Sequence, residues 1–280
     1  MPMSASDRRT AAPASRLASL PVYLVFWLLG TVLLAIVVLP LVRLAVEPSL
    51  ASLAAAARDV EVREALWLSV LGALLAALVS ALLGVPLAYI LARGRFRGRA
   101  IVAAIVDLPL SVPHTVAGIS LLMVFGRHGI IGEPAATLLG LRFWATLAGI
   151  VLAMVFVAAP YTVSSARIGF ETVEPRLEMV ARTLGLGPWT VFRRITLPLA
   201  WHGIATGLTL TFARAISEFS AVAILVYYPM TAPLKIYELF LRFGLDQAAA
   251  AAVLLLALSL GLFVLFRHFA YGTTIAGTGR

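Results

Sequence analysis

ETVEPRLEMVARTLGLGPWTVFRRITLP, residues 171–198, is a polar, arginine-rich segment between two long apolar runs. Pro175 suits the first turn of a helix. Leu177, Val180, Ala181 and Leu184 then recur at i, i+3, i+4 and i+7, which gives a short helix one apolar face. Gly185 can stop that helix in a left-handed conformation. Pro188 can open a second short helix, and Pro198 marks the turn into the next apolar run. On pattern alone two readings stand. The segment is a helix lying on the bilayer surface, which its arginines permit, or a knob that docks in a partner's groove.

The runs on either side point to lipid as the solvent. The chain has 280 residues, 61% hydrophobic and 12% charged, with a mean hydropathy of +1.00. Soluble domains carry about 25% charged residues. The net charge of +9 would suggest nucleic acid in a soluble protein, but membrane proteins gather arginine in their cytoplasmic loops, and no basic, aromatic surface domain is present. With no cysteine, disulfides, iron–sulfur clusters and thiolate zinc sites are excluded. His114, His128, His202 and His268 lie far apart and make no metal-spaced pair.

A span needs about 20 apolar residues. The pattern predicts an all-α polytopic membrane protein with about six spans, near 21–41, 65–91, 101–125, 144–162, 199–227 and 248–266. The first run exceeds the apolar region of a cleaved signal peptide, about 7–15 residues, so an uncleaved helix is expected there. Residues 1–20 and 271–280 read as cytoplasmic tails around one membrane domain, 21–270, with 167–198 as its long cytoplasmic loop. The arginine bias sets this orientation. Arg8, Arg9, Arg16, the arginines of 93–99 and those of 167–194 fall on one side, and basic and acidic residues balance on the other. Both termini are expected inside.

Several polar groups interrupt the spans. Asp107, Pro109, Ser111, Pro113, His114 and Thr115 share the third. Two prolines four apart break or kink a helix. Irregular backbone at membrane depth is tolerated when it is buried in protein or lines a watery path. In the fifth, Thr206, Thr209, Ala213, Ser217 and Ser220 form a small polar stripe, read either as close helix packing or as a pore wall that holds an ion weakly enough to release it. Arg214 and Glu218, at i and i+4, are opposite charges inside one span. They read as a structural pair or as an anion contact with its counter-charge. The candidate translocation residues are Ser111, His114, Thr115, Thr206, Thr209, Arg214, Ser217 and Glu218.

The loop resembles the EAA loop of ABC importer permeases, in which Glu-Ala-Ala precedes a Gly and, ten residues on, Ile-x-Leu-Pro. Gly185, Ile195, Leu197 and Pro198 keep that spacing. Met179-Val180-Ala181 stands where Glu-Ala-Ala would, with Glu178 one position early. DLPLSVPHTVAG (107–118) and ARAISEFSAVAILVYYPMTAP (213–233) are similar to the molybdate/tungstate permease subfamily. The resemblance implies a type I ABC importer permease fold and a homodimer paired with two ATP-binding subunits and an external substrate-binding protein. It also implies ATPase coupling through Glu178, Met179, Ala181, Gly185, Ile195, Leu197 and Pro198. ATP and Mg would be bound by the partner ATPase, with no cofactor in this chain. The one lysine, Lys235, is followed by Ile236, so the Lys-Ser/Thr of a P-loop is missing. The expected function is import of tungstate or molybdate across the cytoplasmic (inner) membrane. The alternatives are a sulfate/thiosulfate permease, an intramembrane enzyme built on Asp107 and His114, and a receptor or scaffold subunit that signals without transport.

Overall fold

The structure, a computed structural model, describes residues 14–272, with side chains over 23–268. The remainder of the expected tails lies outside the described residues. In chain order the helices are α1 (Ala14–Val46), α2 (Leu50–Arg58), α3 (Val60–Arg93), α4 (Arg99–Ser111), α5 (His114–Phe125), α6 (Gly132–Leu139) and α7 (Leu147–Thr172). They continue as α8 (Pro175–Thr183), α9 (Pro188–Val191), a π-helical turn (Phe192–Thr196), α10 (Leu197–Ile216), α11 (Ser220–Leu225), α12 (Ala232–Phe243) and α13 (Leu245–Gly272). No strand occurs among the described residues.

Two units divide the chain, 1–47 and 48–280. The first contains α1, whose described side chains are mostly exposed and apolar, as those of a helix meant for a non-aqueous neighbour must be. In the second, α3, α7 and α10 pack as a central trio. Small residues let them close up. A Cβ on Gly203 of α10 would stand 2.6 Å from the Gly169 Cα of α7, so the two backbones touch there. Such small-residue crossings are how helices associate in lipid. Deeper along the same seam the single proton of Thr211 goes to the Ala158 carbonyl at 3.0 Å. Thr162 therefore donates to Thr211 at 2.6 Å, and this buried polar pair is satisfied.

Local chemistry sets the ends. Asp59 caps α3 by accepting from the Glu61 and Val62 amides, and Thr146 caps α7 through the Gly149 amide. Among the described residues four helices are long and apolar enough to cross a membrane, five if α4 and α5 count together. Helix α10 has the length, about 30 Å at 1.5 Å per residue, but His202 and Arg214 interrupt its apolar run.

Two expected spans differ in shape. The run 101–125 is not one rod: α4 and α5 meet at 112°. Pro113 has no N–H to give and forces Val112 into extended backbone (φ −82°, ψ 129°), while Pro109 is carried inside α4. The run 199–227 stops as a helix at Ile216. Ser217 turns its hydroxyl back to the Ala213 and Arg214 carbonyls, and Glu218 takes up the Ala221 amide at 2.9 Å to start α11. These two breaks bring His114, Arg214 and Glu218 together.

Candidate functional site

The breaks abut because α11 packs along α5, with Gly118 so close to Ala221 that a Cβ would lie 3.1 Å from its Cα. At this junction Arg214 donates from Nη2 to Glu218 Oε2 at 2.8 Å and to His114 Nε2 at 2.6 Å. Guanidinium only donates, so the histidine nitrogen is the acceptor. Glu218 is 1% exposed, and its second oxygen is taken by the Ala221 amide. A buried charge needs this kind of pairing. Arg214 keeps 21% of its side chain exposed, which makes it the cluster's open edge. Ser111 and Thr115 at the α4–α5 bend, and Ser217 at the α10–α11 break, are all exposed. Discontinuous helices whose free ends and polar side chains converge are the usual construction of a transporter's substrate path.

The expected stripe along α10 is divided. Thr206 and Thr209 line a small pocket with Phe263 and Arg267 of α13, and their hydroxyls bond back to the His202 and Ala205 carbonyls. They do not join the His114–Arg214–Glu218 cluster. Asp107 and His114 also separate. Asp107 accepts from Ser164 at 3.2 Å, whereas His114 bonds Arg214.

At the far end of the bundle the loop folds as its pattern predicts. Helix α8 closes with Gly185 at φ +87°. The Leu186 amide reaches the Ala181 carbonyl at 3.1 Å and the Gly185 amide the Arg182 carbonyl at 3.0 Å, the pair of bonds of a Schellman cap. Leu177, Met179, Val180, Leu184, Leu186 and Trp189 are exposed. Ala181 and Glu178 turn inward and are buried. Ile195 and Leu197 are half-buried, and Pro198 is exposed in the first turn of α10. Glu178 is held by Arg93 and Thr196 and lies off the exposed face that carries Met179.

The YYPMTAP run lies beyond the opposite end of α10. Tyr228, Pro229 and Met230 border a pocket of about 240 Å³ with Glu61, Glu64, Lys235, Glu238 and Arg242. Lys235 bonds both Glu61 and Glu238. Burial alone would pull Lys235 down, but the hydrogen bonds to Glu238 and Glu61 hold its ammonium above the ordinary value. Bonds from Lys235 and then Arg242 hold the Glu238 carboxyl below its own. Lys235 is thus a buried fastener between α12 and α3.

Residues 84–272 match the family described as the binding-protein-dependent transport system inner membrane component. The chain belongs to this family. Two relatives of this inner-membrane component are close in sequence. The molybdate/tungstate transport system permease protein WtpB of Thermococcus kodakarensis is 44% identical over 166 residues, 59% of this chain and 62% of that protein. The match thus spans less than two thirds of that relative's length. The probable molybdenum ABC transporter permease protein of Haloferax volcanii is 42% identical over 238 residues, 85% of this chain and 87% of that protein. The crystal structure of a bacterial ABC transporter involved in the import of the acidic polysaccharide alginate contains a chain of the same fold. Its TM-score is 0.72 at 18% identity, covering 92% of this chain and 98% of that one. The fold is that of a type I ABC importer permease, and the named relatives are permease subunits rather than enzymes.

Proposed function

We propose that this inner-membrane component forms the translocation pathway of an ATP-driven importer for tungstate or molybdate. It would work as a homodimer joined to two separate ATPase subunits and fed by an external binding protein, in the cytoplasmic membrane with both termini inside. One observation carries the reading. Arg214 stands at the junction of two broken helices with its charge balanced by Glu218, and Ser111 and Thr115 at the α4–α5 bend are exposed. A tetrahedral oxyanion needs donors, and passage needs the cation to be restrained from gripping it. The carboxylate supplies that restraint. The exposed apolar face of α8 and α9 supports docking of a partner at the other end. The names of the relatives support the anion. Exposed Asp107 and Leu108 on α4 support a second copy, since a carboxylate facing lipid costs about 2.5–3.5 kcal/mol at a helix centre. The enzyme reading loses its footing because Asp107 and His114 have different partners.

The test is the ATP turnover of the assembled complex in the presence of its binding protein. Binding protein loaded with tungstate or molybdate should stimulate hydrolysis, and the same protein offered sulfate should leave it near the basal rate. Equal stimulation by sulfate would move the chain to the sulfate permeases.

A further inference from the structure

Arg93, the last residue of α3, ties that helix to the end of α7 and to α8, about 80 positions further along the chain. Its Nη2 donates to the Val173 carbonyl at 2.6 Å, and its Nε donates to Glu178 Oε1 at 3.1 Å. Val173 follows the last turn of α7, so its carbonyl is one of the acceptors a helix end leaves without a partner. Glu178 belongs to α8, and the same oxygen accepts from Thr196 at the start of α10 at 3.0 Å. Arginine and glutamate side chains are both mostly buried, at 18% and 10% exposure. The planar fork of a guanidinium serves a carboxylate and a carbonyl at once, which an ammonium on a flexible stem does less well.

We propose that Arg93 is a positioning residue, the strut that makes α3 move with α8 when the partner ATPase moves it. The proposal rests on the reading of α8 as the ATPase-docking segment. Helix α8 is joined by the chain to α7 through Val173 and Glu174, and to α10 through the Gly185–Gly187 turn and α9. The chain joins it to α3 only by way of α4 to α7, and the Arg93 fork supplies a direct noncovalent link by charge-assisted bonds. With the fork in place, α3, α7 and α10, the trio that holds the Arg214 junction, follow α8 as one block. Without it α8 can tilt against α3, and ATP can be hydrolysed without moving the pathway. Glu178 would then act inside this chain, in contrast to the exposed Met179 and Leu184, which face the partner.

The experiment uses the full complex in proteoliposomes with its ATPase subunit and loaded binding protein, and reads anion uptake per ATP hydrolysed. The double variant Arg93→Met with Glu178→Gln removes both buried charges while leaving an acceptor for Thr196. It should assemble and retain the ATPase subunit, and its uptake per ATP should fall by roughly fivefold or more, the lower range of a coupling free energy. Arg93→Lys keeps the balancing charge but not the fork, so it should fold and fall between the parent and the double variant. A merely structural role would lower uptake and hydrolysis together. An unchanged ratio in the assembled double variant would overturn the strut, as would a parent-like ratio in Arg93→Lys should the double variant fail to assemble. Failure of the docking reading shows separately. If Leu184→Asp with Trp189→Asp still retains the ATPase subunit, α8 and α9 are not the docking segment and the strut falls with them.

Discussion

Glu218→Ala should unseat the folded assembly by about 3–5 kcal/mol, the usual penalty for removing one partner of a buried ion pair, read as a fall in melting temperature and in purified yield from detergent. The side chain is 1% exposed and holds both Arg214 and the Ala221 amide. Its loss strands a guanidinium and uncaps α11 together. Arg214→Met should cost less, because Glu218 keeps the Ala221 amide, but it too leaves a buried charge. Neither single change separates architecture from transport. Arg214→Met with Glu218→Gln does, since both charges leave at similar volume. If Arg214 meets the passing anion, the double variant assembles yet transports roughly ten- to a hundredfold more slowly, the worth of one hydrogen bond to a charged group. Uptake near the parent's rate in an assembled double variant would leave Arg214 a purely structural residue.

Leu184→Asp with Trp189→Asp is expected to abolish co-purification of the ATPase subunit while the membrane domain inserts and dimerises as before. Both side chains are exposed in this chain, at 77% and 70%, so their replacement removes little internal packing. Each large apolar side chain buried on docking contributes about 1.5–3 kcal/mol. Losing two weakens the contact by roughly a hundred- to ten-thousandfold. Gly185→Val should act in the same direction through backbone strain of about 1–2 kcal/mol at a left-handed position, here φ +87°. Pull-down at several ATPase concentrations measures both. Undiminished association would return 171–198 to the reading of a helix lying on the bilayer surface.

Local physics made much of this legible from sequence. Apolar length revealed five of the six expected spans, counting the bent α4–α5 pair as one; Pro113 foretold the α4–α5 break, and Gly185 with the i, i+3, i+4, i+7 spacing foretold α8 and its cap. The Arg214–Glu218 pair followed from i, i+4 geometry alone. Long-range contacts were not legible. His114 reaches Arg214 across 100 positions, and Arg93 reaches Glu178 across 85. Nothing in the spacing distinguishes Arg93 from Arg95 or Arg97 beside it. The end of α10 was also hidden, because 219–226 is as apolar as the helix before it and only the capping by Ser217 and Glu218 stops the run. Thr206 and Thr209 share a face with Ser217 on a helical wheel, yet packing against α13 takes them to a different pocket. The pairing of Lys235 with Glu61 and Glu238 was equally hidden, because Glu61 lies 174 positions away.

A conduit through which a partner's ATP hydrolysis moves an oxyanion across a membrane must show uptake that depends on that partner. Uptake of labelled tungstate or molybdate into proteoliposomes tests it most directly. The vesicles would hold the chain with its ATPase subunit, with loaded binding protein on the side opposite the ATPase and ATP on the ATPase side. Accumulation should require ATP, the ATPase subunit and the binding protein together, and should be lost in the Leu184→Asp, Trp189→Asp variant. Accumulation by the chain alone, or none with all components present, would contradict it.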